Sequence, residues 1–144
     1  MSLAKVLLVD DEVPFVDTMV KRLSKRDFEI FTAYSGQEAL DQLQEHPSLD
    51  VVVLDVKMPG MDGITALKQI KSKFPLVEVI MLTAHATVES AIDGMKLGAF
   101  DYLMKPAEID ELVDKVKKAE KIKRDREEKI REAEAREVFL RRGD

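Results

Sequence analysis

The sequence predicts an α/β fold: a doubly wound, five-stranded parallel sheet with helices on both faces. Two observations carry this. Short β-branched runs alternate with longer amphipathic stretches five times along the chain. The central runs are apolar at every position, as strands covered on both faces of a parallel sheet must be. Right-handed crossovers between such strands place the helices on both sides.

The elements follow in order. KVLLV (5–9) is apolar after its lysine and predicts the first strand. Phe15, Val16, Met19, Val20 and Leu23 recur at helical spacing, with Pro14 near the start, where its missing N–H costs little. EIFTAY (29–34) is a more mixed strand. Ser35 and Glu38 form a capping-box pattern ahead of Ala39, Leu40 and Leu43. VVVL (51–54) is the third strand, and Asp62 can cap a helix carrying Leu67, Ile70 and Phe74. VIML (79–82) is the fourth, and Thr87 can cap a helix carrying Val88, Ala91, Ile92 and Met95. FDYLM (100–104) is the fifth. From Ala107 to Arg142 there is neither Gly nor Pro, and a helix of that length would span about 54 Å.

Composition narrows the function. The 144 residues suit one domain of ordinary size with an appendage, divided here into 1–116 and a charged helical extension, 117–144. There is no cysteine, hence no disulfide framework and no thiolate metal site. No apolar run approaches the length of a membrane span, and the N-terminus runs into an acidic cluster without the features of a signal peptide. These features predict a soluble, cytoplasmic chain that does not engage membranes. Residues 1–116 carry 12 Lys/Arg against 20 Asp/Glu, a net of −8; residues 117–144 carry 11 against 8, a net of +3. An acidic front does not attract nucleic acid, so direct binding of DNA or RNA by this chain is not expected.

The fold class places a site before any motif is considered. Ligands of doubly wound sheets bind beyond the carboxyl ends of the strands, where strand order reverses. The residues at those ends are Asp10 and Asp11 after the first strand, Asp55 after the third, Thr83 after the fourth and Lys105 after the fifth. Three converging carboxylates repel one another unless one is protonated or a cation joins them. Oxygen donors without His or Cys favour a hard cation, and Mg²⁺ tolerates a few carboxylates while keeping water and phosphate oxygens. The Lys105 ammonium adds a point charge for phosphate and Thr83 a hydroxyl donor. This set suits a carboxylate attacking a phosphoryl group while Mg²⁺ and lysine neutralise the spreading charge.

LLVDDE, LDVKMPGMDG, MLTA and GAFDYLMKP occur in this order, and over about residues 4–116 the chain resembles the response-regulator receiver domains of two-component signalling, the CheY-like family. LTAHATVESAIDGMKLGAFDYLMKP is especially similar to receivers of NtrC-like transcriptional activators. The resemblance implies a flavodoxin-like strand order 2-1-3-4-5. It implies Asp55 as phosphoacceptor, with Asp11, Asp55 and the backbone carbonyl of Lys57 on Mg²⁺ and Asp10 acting through a bound water. Lys105 would contact the phosphoryl group, ahead of a cis bond to Pro106. Thr83 would be the switching hydroxyl and Tyr102 the ring that follows it inward. Lys57 and His85 occupy the positions that tune acyl-phosphate lifetime. The donor would be a histidine kinase or phosphotransfer protein. The output would be a change in the face built from the fourth helix, fifth strand and fifth helix, controlling a partner or a homodimer through residues 87–116 or the C-terminal helix.

Each residue has a plainer account when taken alone. The Asp10–Asp11 pair could cap a helix, Asp62–Gly63 reads as a turn and cap, and Lys105 could be a surface lysine. Thr83 could close a strand and Tyr102 be a half-buried strand aromatic. His85 reads as a solvated loop residue and His46 as a helix end. Their coincidence at one sheet edge favours the joint reading. A phosphatase using an aspartyl phosphate would carry a second acid at the position of Lys57. An inert docking module would have degraded acidic or lysine positions, and a flavin site would need a Ser/Thr/Gly-rich loop after the first strand. The expected activity is self-catalysed phosphoacceptance and autodephosphorylation rather than turnover.

In the extension, steps of three and four connect Ile109, Leu112, Val116, Ala119, Lys123, Arg126, Ile130, Ala133, Glu137 and Leu140, a stripe interrupted by Lys123, Arg126 and Glu137. Both a coiled-coil dimer and a lone helix held by i,i+4 ion pairs remain open. With the chain stopping at Gly143–Asp144, a single-domain regulator and a fragment of a longer one are equally compatible.

Overall fold

The computed structural model describes residues 4–84 and 87–142. Five strands, β1 (Ala4–Val9), β2 (Phe28–Ala33), β3 (Val51–Leu54), β4 (Glu78–Thr83) and β5 (Asp101–Met104), form a parallel sheet in the order β2-β1-β3-β4-β5. They alternate with α1 (Val13–Leu23), α2 (Gly36–Glu45), α3 (Gly63–Lys73), α4 (Val88–Lys96) and α5 (Ile109–Arg142). The expected fold class and order hold, with strand ends shifted by about a residue.

Continuously apolar strands feed two cores. Successive side chains point to opposite faces. Val6, Leu8, Val51, Val53, Ile80 and Leu82 therefore pack with Val16, Met19 and Leu23 of α1 and Leu112, Val116 and Ala119 of α5. Their neighbours Leu7, Val9, Val52, Leu54, Val79 and Met81 pack with Leu40 and Leu43 of α2 and Ala66, Leu67 and Ile70 of α3.

The helix starts are chemically specified. Ser35 Oγ accepts the Glu38 N–H at 3.1 Å, and Asp62 Oδ1 accepts the Thr65 N–H at 2.8 Å. Thr87 Oγ1 accepts the Ser90 N–H, and Ser90 Oγ accepts the Thr87 N–H, both at 3.0 Å. Each bond satisfies a donor that the first helical turn leaves open. In α4 the apolar positions do not all turn inward: Ile92 and Met95 are each 47% exposed. The helix approaches the sheet through Gly94, where even an added Cβ would lie 3.7 Å from the Met81 side chain.

Helix α5 continues the domain past residue 116. Ala119 is buried, and so is Lys123, 5% exposed, with Nζ 3.0 Å from Asp50 Oδ1. The other Asp50 oxygen accepts the Lys5 N–H at 2.9 Å. One turn on, Arg126 Nη1 donates to Glu78 Oε1 at 2.8 Å, and Lys71 of α3 lies 3.7 Å from the same oxygen. Two of the three charged positions that break the apolar stripe, Lys123 and Arg126, thus fasten α5 to the N-terminal edge of β3 and β4, while Glu137 pairs with Arg141 within the helix. Residues 128–141 are exposed.

Candidate functional site

Backbone register brings the acids together. Val9 pairs with Ala33 on one side and Leu54 on the other, so β1 and β3 end level. The ladder runs one step further, with the Asp10 N–H donating to Ala33 O (3.1 Å) and the Asp55 N–H to Val9 O (3.0 Å). Asp10 and Asp55 therefore leave the sheet side by side, where strand order reverses. One carboxylate oxygen from each of Asp10, Asp11 and Asp55 lies within 4.8 Å of the others. Asp10 and Asp55 are buried, and Asp11 is exposed. A cavity lined by Asp11, Glu12, Asp55, Lys57, Met58 and Pro59 opens over them.

The loop after Asp55 folds back tightly. The Gly63 N–H donates to Val56 O at 2.7 Å. A Cβ on Gly63 would collide with the Asp55 carbonyl oxygen and Val56 Cα, so this approach requires glycine. From β5, the Lys105 N–H donates to Thr83 O at 2.9 Å, and the Lys105–Pro106 bond is cis. The Lys105 ammonium lies 2.5 Å from Asp10 Oδ2, 3.5 Å from Glu12 Oε1 and 4.0 Å from the Phe15 ring centroid.

The electrostatics are those of crowded acids. Burial, and then the Asp10 charge, push the Asp55 pKa above the ordinary 3.8; Lys105, the Thr83 hydroxyl and the Val56 backbone pull it back only in part. Burial would lower the Lys105 pKa, but the hydrogen bond and charge of Asp10, helped by Asp55 and Glu12, hold it above the ordinary lysine value. Asp55 Oδ1 is buried with no hydrogen-bond partner among the described residues. A buried, orphaned carboxylate oxygen is costly. With two further carboxylates beside it, it fits a hard, oxygen-seeking cation such as Mg²⁺.

Asp10, Asp11, Asp55 and Lys105 meet at one sheet edge; Lys57 lines their cavity, and Thr83 is fully buried beside Asp55. Tyr102 stands apart, its hydroxyl 3.3 Å from Ser90 Oγ. His85 lies outside the described residues. Asp62 acts as a helix cap and His46 ends α2. Neither Glu12 nor Phe15, which the sequence places on the apolar face of the first helix, is read there as a site residue. A third acid directly after the Asp pair, and an aromatic one helical turn along, were the available signals.

Comparison with known proteins agrees with this geometry. The family model for the response regulator receiver domain matches residues 6–117. The DNA-binding transcriptional regulator NtrC of Klebsiella pneumoniae is 41% identical over 112 residues, 78% of this chain and 24% of that protein. The chain spans about a quarter of the length of the curated relatives it matches. A response regulator receiver domain from Clostridium thermocellum superposes with a TM-score of 0.81 at 38% identity, covering 85% of this chain and 98% of that one. CheY in the CheX–CheY–BeF3–Mg2+ complex from Borrelia burgdorferi gives 0.75 at 34% identity, covering 78% and 86%.

Proposed function

Since the chain belongs to the response regulator receiver domain family, we propose that Asp55 accepts a phosphoryl group from a histidine kinase or phosphotransfer protein of a two-component system. The observation that carries this reading is the buried Asp55 carboxylate, one oxygen without a hydrogen-bond partner among the described residues, in a cluster with Asp10, Asp11 and Lys105. An Asp55 oxygen forms the new O–P bond as the donor's P–N bond breaks, and the electron pair stays with the imidazole. Mg²⁺, held by Asp11, Asp55 and the Lys57 backbone carbonyl, with Asp10 acting through water, would supply positive charge opposite the transferring oxygens. Lys105 carries the protein's own positive charge to the same group. The relative in the BeF3–Mg2+ complex supports this assignment.

Phosphorylation adds about −1.5 to −2 charges at Asp55. Moving a population from mostly off to mostly on requires about 5.5 kcal/mol of differential stabilisation. A Thr83 hydroxyl bonded to a charged oxygen supplies about 1.5–3 kcal/mol. The Lys105 contact and inward packing of Tyr102 supply the rest, or the unphosphorylated domain already samples the active form. The readout is the α4–β5–α5 face, acting on a partner or a second copy, with α5 as an additional dimer contact. Hydrolysis of the acyl phosphate, at a rate tuned by Lys57 and His85, resets a cytoplasmic switch that is not a turnover enzyme.

The test is intact-mass measurement after incubation with acetyl phosphate and Mg²⁺, followed by sizing of both forms. One phosphoryl group should be incorporated, and none in Asp55→Ala or without divalent cation. Persistent labelling of Asp55→Ala would remove the assignment.

A further inference from the structure

Lys105 points to the α1 side of the site. Its ammonium contacts Asp10 and Glu12 above the Phe15 ring, and closes no ion pair with Asp55 among the described residues. Glu12 is the residue that makes this placement notable. It stands at the N-cap of α1, yet its side chain makes no capping bond there. Its backbone N–H donates to the Asp10 carboxylate at Oδ1, 2.9 Å away, so the Asp10 side chain secures the turn without help from the Glu12 carboxylate. Its carboxylate is largely exposed, lines the cavity beside Asp11 and Asp55, and meets Lys105 at 3.5 Å.

We propose that Glu12 is a positioning residue that detains the Lys105 ammonium beside α1 and so slows the loading of Asp55, an inference that rests on the phosphoacceptor reading. To meet the oxygens of an incoming phosphoryl group, the ammonium must loosen from Asp10 and leave Glu12. Asp10 is buried within the acidic cluster and is needed there. Glu12 is exposed, caps nothing, and offers the ammonium a second anchor on the far side. An exposed ion pair of this kind is weak, so its effect on the loading rate is a factor of about two to five, a tuning of rate rather than a block.

The same carboxylate also repels an anionic donor at the cavity mouth, and one variant separates the two effects. Glu12→Asp keeps the charge at the mouth but is one methylene shorter and loses its reach to Lys105. Glu12→Gln removes both. Loading of the full chain by acetyl phosphate and Mg²⁺ is followed by intact mass: the donor's P–O bond breaks, acetate leaves with the electron pair, and the Asp55 O–P bond forms. The Lys105 side-chain NMR signals are read in parallel without donor or metal, and urea midpoints check the fold. Both variants should load about two- to fivefold faster, shift the Lys105 signals alike, and keep the wild-type midpoint. If Glu12→Asp loads like wild type while Glu12→Gln is faster, only charge at the mouth matters and the positioning role is overturned. Equal rates in all three proteins overturn it as well. A wild-type chain that takes up no phosphoryl group overturns the acceptor assignment and the rate claim with it, an outcome distinct from equal loading.

Discussion

Replacing Lys123 with methionine tests whether α5 is anchored below the sheet. The substitution keeps most of the buried stem volume but removes the ammonium that lies 3.0 Å from Asp50 Oδ1. Breaking a buried ion pair by deleting one partner costs about 3–5 kcal/mol, because the other charge stays desolvated. Asp50 is cushioned here. Its side chain is 20% exposed, and Oδ2 keeps the Lys5 N–H. The expected loss is therefore about 2–3 kcal/mol, below the full range. For a chain of this size that corresponds to a fall in Tm of about 5–10 °C. Urea unfolding followed by circular dichroism measures it. Adding Asp50→Asn should recover most of the loss, since removing both charges leaves little to desolvate. A Lys123→Met protein within about 0.5 kcal/mol of wild type, or a double variant no better than the single one, would refute the anchoring argument.

Other substitutions probe the site. The raised pKa of Asp55 means that the folded state holds this proton more tightly than the unfolded chain. Its contribution to stability is thus present at pH below 3.8, is lost as pH rises through the folded pKa, and leaves a penalty at neutral pH. Asp55→Asn should accordingly be more stable than wild type at pH 7 without divalent cation, with the gap closing toward pH 4 in urea titrations; an unchanged gap contradicts the burial argument. Gly63→Ala forces a methyl group against the Asp55–Val56 backbone and should cost about 1–3 kcal/mol, or more if the loop cannot shift, in the same assay. Thr83→Ala should still incorporate phosphate by intact mass yet lose the change at the α4–β5–α5 face, seen as missing NMR shift perturbations around Tyr102 and α4.

The strand runs made the fold legible: VLLV (6–9), VVVL (51–54) and VIML (79–82) are each apolar at four successive positions, too short for a buried helix and suited to a parallel sheet covered on both faces. Asp10, Asp11, Asp55, Thr83 and Lys105 were legible for a related reason: whatever ends such a strand must surface at the sheet edge. Glu12 was not, since an exposed acid at a helix start reads as a favourable charge near the dipole. Lys123 and Arg126 were not legible as anchors of the helix. They interrupt an apolar stripe, yet Lys123 is buried in phase with Leu112, Val116 and Ala119 and the more exposed Arg126 reaches a buried acid, and their partners Asp50 and Glu78 lie 73 and 48 residues away in the chain. The apolar residues of α4 followed helical spacing, but spacing does not say which face a helix turns inward, and in the packed molecule Gly94 faces Met81 while Ile92 and Met95 stay half exposed.

Local chemistry along the chain was enough to specify the elements, their caps and the set of acids, because hydrophobic period, helix capping and strand-end position depend on neighbours a few residues apart. Which oxygen is left without a donor, which carboxylates Lys105 contacts, and how far α5 stays docked depended on the packed molecule. Those outcomes are set by distances between groups remote in sequence, and they exist only once the two cores have closed around the sheet.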